Sequence, residues 1–292
     1  MAQGAQRSHR FKKGVVEPVK AAGMTELAAR SAIPPAPAPT QSSGERFFEL
    51  YHFRFRLWPI VAAALLMEGM LRLGRVPAKW IFQQGPADWA DRPWIYVALA
   101  IMFQALLGVA AIAAMRRFLP QADSHLRLPK KGQAMIGTAI LLGIGMGLVM
   151  LVADYWPQML GGTAPDDYPV NSVDSPGWLF AMGITGFAEE TIFRGFLVGG
   201  LAVLVPGRLR IGRLDLPLSA YLVALMFGLA HWQSFTVNPF HMAAAQQIYA
   251  FAWGIGYVWL MQRSNSLVAP IVTHGVSNAV EVGLVMAWAA MA

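Results

Sequence analysis

Apolar runs long enough to cross a bilayer recur along this 292-residue chain and leave few folds open to it. A helix needs roughly 20 residues to span the hydrocarbon layer. Seven segments approach that length, at about 57–73, 94–115, 134–153, 178–202, 217–234, 240–261 and 267–290. Lipid offers the backbone no hydrogen bonds, so spanning segments are helices or strands of a closed barrel. Runs of this length fit helices. Composition agrees: 56% of residues are hydrophobic and 13% charged, against about 25% charged in soluble domains. The expected fold is all-α, a polytopic transmembrane helix bundle of about seven spans.

The segment limits also sort the charges. The loops on one side hold eighteen Lys and Arg residues and those on the other hold three, Arg75, Lys79 and Arg92. Loop 154–177 has neither and carries Asp154, Asp166, Asp167 and Asp174. Cytoplasmic loops concentrate basic residues, so the pattern predicts a cytoplasmic N-terminus and seven crossings. It also accounts for the net charge of +7 without nucleic acid. Trp58, Trp80, Trp89, Trp94, Trp156, Trp178 and Trp232 fall near span ends, as an interfacial belt would. Residues 1–45 are basic and then proline-rich, with no apolar core of a secretory signal; they are expected to form a flexible cytoplasmic tail ahead of a membrane domain at 46–292. With no cysteine, disulfides, thiolate metal sites and cysteine nucleophiles are excluded.

Ionisable groups inside hydrocarbon are costly and mark function. Glu189, Glu190 and Arg194 lie in the fourth segment, Phe227 and His231 in the fifth, and His274 and Asn278 in the last. On a helix Glu190 and Arg194 share a face and can pair, while Glu189 sits about 100° away. Either one carboxylate is neutralised and the other left free, or the arginine bridges both. Peptide hydrolysis needs an activated water, oxyanion stabilisation and a proton for the leaving amine. Glu190 can take the water's proton, His231 can orient the water, and His274 and Asn278 can donate to the oxyanion. An equal alternative makes Glu190, His231 and His274 ligands of Zn²⁺ or another divalent metal. There is no His-Glu-x-x-His motif and no nucleophile elbow around Ser277. A proton pathway or transporter, and a noncatalytic scaffold, compete with the hydrolase.

Glu-Glu-x-x-x-Arg at 189–194, Phe-x-x-x-His at 227–231 and His-x-x-x-Asn at 274–278, in this order, resemble the CPBP family. These are the CAAX proteases and bacteriocin-processing enzymes, similar to type II CAAX prenyl endopeptidase. The resemblance covers about residues 175–290. It implies an intramembrane endopeptidase of a bacterial inner membrane, acting on a peptide or membrane-protein substrate, lipidated or not, through a glutamate-activated or metal-bound water. Some members serve bacteriocin immunity or act as scaffolds. The site residues it implies are Glu189, Glu190, Arg194, His231, His274 and Asn278. The chain departs from the family's aromatic motif of two Phe four apart; Phe240 and the stretch from Tyr249 to Trp253 are the nearest substitutes.

Overall fold

The computed structural model of the protein describes residues 48–50 and 53–292, so the expected tail at 1–45 lies outside the described residues. A short hairpin of β1 (Phe48–Leu50) and β2 (Phe53–Phe55) leads into the helices. These are α1 (Trp58–Gln84), α2 (Pro93–Phe118), α3 (Ile136–Gly161) and α4 (Asp174–Glu190). A π-helical stretch, Thr191–Val198, then continues α4 into α5 (Gly199–Leu204). The hairpin β3 (Arg208–Ile211) and β4 (Leu214–Pro217) precedes α6 (Leu218–Leu229), the single turn α7 (Ser234–Val237), α8 (Phe240–Ser264) and α9 (Val268–Met291). The fold is all-α apart from the hairpins, as the apolar pattern predicts.

Element ends follow local chemistry. Pro59 and Pro93 sit in the first turns of α1 and α2, where a missing backbone N–H costs nothing. Gly162 and Asn265 close α3 and α8 in the left-handed region, which glycine and asparagine tolerate best. Among the described residues four helices are long and apolar enough to cross a membrane: Pro93–Phe118, Ile136–Gly161, Leu218–Val237 and Val268–Met291. Only 28–44% of each apolar window is buried inside the protein. Most of their apolar surface, including Leu106 and Leu141, therefore faces outward, which water would penalise and lipid does not. This is the signature of a membrane helix bundle.

Two differences from expectation bear on the site. The first segment, expected to end near residue 73, runs on to Gln84 through Pro77. The fifth is short: α6 has 12 residues, and the chain turns at Ala230–Gln233 before α7. His231 thus sits on a turn and not inside a straight span. From there it lines the same cavity as His274.

The helix α9 lies against α3, α4 and α8. Its approach to α4 is backbone to backbone. A Cβ on Gly186 would stand 2.5 Å from the Ile271 carbonyl oxygen, and one on Gly275 would stand 2.4 Å from that of Gly183. On the other side Gly143 and Gly147 meet the Thr273 and Ser277 carbonyls in the same way, so their spacing serves close packing.

Candidate active site

The close α4–α9 contact brings the last turn of α4 to the side chain of His274. Arg194 Nη1 donates to Glu190 Oε1 at 2.9 Å, and His274 Nδ1 lies 2.9 Å from the same oxygen. Glu190 and Arg194 are fully buried. A carboxylate only accepts, so Nδ1 of His274 is the donor and Nε2 points away from Glu190. The Arg194 guanidinium lies 4.3 Å from the Phe227 ring centroid and 4.9 Å from that of Tyr257. Its Nε and Nη2 have no hydrogen-bond partner among the described residues, and these aromatic faces supply the compensating attraction. Tyr257 also stacks on His274, with centroids 5.1 Å apart and planes 11° from parallel. The imidazole is thereby held by a hydrogen bond on one edge and a ring on one face.

Phe227 and His231 are linked by the end of α6. His231 N–H donates to the Gly228 carbonyl and Ala230 N–H to that of Met226, so the Phe227 carbonyl is passed over. The His231 side chain takes it, with Nδ1 at 2.8 Å. Final-turn carbonyls need such partners. Since a carbonyl only accepts, Nδ1 of His231 donates and Nε2 of the neutral ring is left as an acceptor.

A cavity of about 510 Å³ opens beside these groups. Glu189, His231, His274 and Asn278 all line it, and Glu190 and Arg194 do not. Glu189 Oε2 is 3.8 Å from His274 Nε2 and has no hydrogen-bond partner among the described residues. The sequence leaves either glutamate open as the base. Glu190 Oε1 is occupied by Arg194 and His274 while its Oε2 has no partner among the described residues, and the carboxylate that lines the cavity is Glu189. The α4 register decides this, turning one glutamate inward to the protein and the next to the open space. The π-helical stretch begins at the following residue; such turns cluster at functional sites.

The zinc alternative with Glu190 as a ligand does not fit this geometry, because Glu190 Oε1 already receives two donors; His231 and His274 each use Nδ1 elsewhere and keep Nε2 for the cavity. No three His, Cys, Asp or Glu side chains among the described residues are grouped to hold a metal ion.

Two carboxylates at the cavity, Asp154 and Glu281, were not among the candidate site residues read from the sequence; Tyr249 and Trp253, from the stretch offered for the aromatic motif, line it too. Tyr249 and Trp253 are the four-apart aromatic pair nearest the family motif, whereas Phe240 is 78% exposed. Glu281 had a usable signal: it is a carboxylate inside an apolar run, seven residues beyond His274 on the same helix face.

The membrane helix bundle places a carboxylate, two imidazoles and an amide around one cavity. Residues 172–280 match the family model described as type II CAAX prenyl endopeptidase Rce1-like, the family of membrane peptidases that the three motifs resemble. No curated protein and no solved structure matches the chain.

Proposed function

We propose that this protein is an intramembrane endopeptidase in which Glu189 is the general base for an attacking water. The observation that carries the reading is the unpartnered Glu189 oxygen in the same cavity as His231, His274 and Asn278. Water bridging Glu189 and the free Nε2 of His231 is oriented by both and loses its proton to Glu189. Its oxygen bonds to the scissile carbonyl carbon, and the carbonyl oxygen becomes an oxyanion. The Asn278 amide N–H and, when the ring is protonated, the Nε2–H of His274 donate to that oxyanion. Glu189 then passes the proton to the leaving nitrogen as the C–N bond breaks, giving a carboxylate and an amine. Glu190 and Arg194 play no part in proton transfer; they hold the His274 ring in place and fix which nitrogen faces the cavity.

Substrates are peptides or membrane proteins whose scissile bond reaches the membrane-embedded cavity, with CAAX-type processing the closest precedent through the family. The basic loops support a cytoplasmic N-terminus in a bacterial inner membrane, with residues 1–45 as a tail to the domain 46–292. The test is incubation of the purified protein in liposomes with a peptide library containing prenylated and plain cysteine-terminated tails. New termini detected by mass spectrometry, and lost in His231→Ala, support the reading. A protein that releases no fragment from any pool contradicts it.

A further inference from the structure

The hydrolytic groups line only part of the cavity; three further carboxyl groups line it elsewhere. Asp154 on α3, Asp167 in the following loop and Glu281 on α9 all line it. Asp154 is 6% exposed, and its Oδ1 has no donor among the described residues. Its Oδ2 accepts from Tyr249 Oη at 3.1 Å, and His241 Nε2 donates to its backbone carbonyl at 3.0 Å. The carboxyl of Glu281 stands within hydrogen-bonding reach of Asp154. Two facing carboxyls with no cation between them either share a proton or receive a positive group from outside. Among the described residues Arg75 is the one arginine on the cavity wall, and it donates to Gln233 Oε1 at 3.1 Å, on the His231 turn. A buried carboxylate oxygen without a donor is costly unless a proton or a cationic group supplies one.

We propose that Asp154, Glu281 and Asp167 form a binding site for a cationic group of the peptide substrate, a lysine or arginine side chain. The proposal rests on the hydrolytic reading only for where that residue falls relative to the cleaved bond. His274, Asn278 and Glu281 lie at positions i, i+4 and i+7 on one face of α9. Seven residues of helix rise about 10 Å. An extended peptide covers that distance in roughly three residues. The basic residue therefore sits about three positions from the scissile bond, and the site acts as a specificity pocket at the end of the cavity away from the reacting carbonyl. Tyr249 holds Asp154 in register for this contact.

The experiment uses the full chain in nanodiscs, with Glu189→Gln in place so that peptides are bound and not consumed. The probes are short fluorescein-labelled alanine-rich peptides carrying one lysine moved a residue at a time, each with norleucine and glutamate counterparts. Fluorescence anisotropy is expected to show one lysine position binding at least about tenfold tighter than its norleucine match, the scale of a hydrogen-bonded charge pair. Glu281→Gln can still donate an amide to Asp154, so it keeps the wall intact and is expected to erase the difference at an unchanged melting temperature; Asp167→Asn, on an exposed loop, reduces it. Equal binding of lysine and norleucine peptides at every position overturns the site, as does a lysine advantage that survives both substitutions. The same peptides offered to the protein with Glu189 restored separate the two readings. Cleavage without lysine preference overturns the acidic site and leaves the hydrolytic centre standing. Lysine preference without cleavage upholds the site and contradicts the hydrolytic role of Glu189.

Discussion

Glu190 Oε1 and His274 Nδ1 are 2.9 Å apart although 84 positions separate them in the chain. With Arg194 on the same oxygen, this contact converts one of two adjacent glutamates into a scaffold part.

Removing Arg194 leaves Glu190 buried with only His274 for compensation. Breaking a buried pair by deleting one partner costs about 3–5 kcal/mol. Arg194→Leu is therefore expected to lower thermal stability sharply and to cut activity through misplacement of His274. A melting curve like that of the unsubstituted protein would show that the pair contributes no such support.

The α4–α9 approach depends on bare backbone. Gly275→Ala puts a methyl 2.4 Å from the Gly183 carbonyl oxygen, and neither backbone can yield without moving a helix. Overpacking of this kind costs about 1–3 kcal/mol. Activity is expected to fall by more than stability, because a shift of α9 carries His274 and Asn278 with it. Steady-state kinetics and melting measured on the same preparation check the ratio; equal wild-type activity would mean the approach is not needed.

Tyr257 lines the cavity, stacks on His274 and covers Arg194. Tyr257→Phe preserves the ring and is expected to retain most activity. Tyr257→Ala is expected to lose activity and about 3–5 kcal/mol of stability, as for other buried aromatic truncations. Equal loss in both would assign the effect to the hydroxyl instead.

Outside the spans, the loop after α2 carries an acid-sensitive knot. Burial works against the charge of Asp123, but the His125 N–H at 2.8 Å and the Arg127 guanidinium at 2.6 Å outweigh it and hold the carboxyl below its ordinary value. Burial, opposed by Asp123, pushes the His125 imidazole below its ordinary value. The unfolded chain then binds more protons than the folded one once pH drops below about 6.5, the free histidine value. Stability from His125 is present at neutral pH and declines as pH falls through that point. The contribution of Asp123 is lost only at lower pH, as its depressed value is crossed. Melting between pH 7.5 and roughly 5 is expected to fall more steeply in the unsubstituted protein than in His125→Asn; parallel curves would contradict the assignment.

Much of this architecture is legible in the residues. Apolar length locates the long helices, and the three short motifs include four residues that meet at the cavity, Glu189, His231, His274 and Asn278. The division between Glu189 and Glu190 is not legible, because a helical wheel separates the two without saying which side faces a void. That depends on where α9 and Tyr257 press against α4. The break at Ala230–Gln233 is also hidden, since the residues after Leu229 continue an apolar pattern to Val237. The β3–β4 hairpin lies in a stretch read as a loop, its turn closed by Gly212 at φ 59°. Asp154 and Glu281 carry the cost of a charge in lipid, a visible signal, but their meeting across two helices is a tertiary fact.

The most direct measurement compares Glu189→Gln with Glu190→Gln, reading peptide cleavage and thermal melting on the same purified samples. The account predicts that Glu189→Gln abolishes cleavage with little change in melting, while Glu190→Gln lowers the melting temperature markedly by leaving Arg194 without its counterion. Full cleavage by Glu189→Gln, or loss of cleavage at unchanged stability for Glu190→Gln alone, would contradict the assignment of the base.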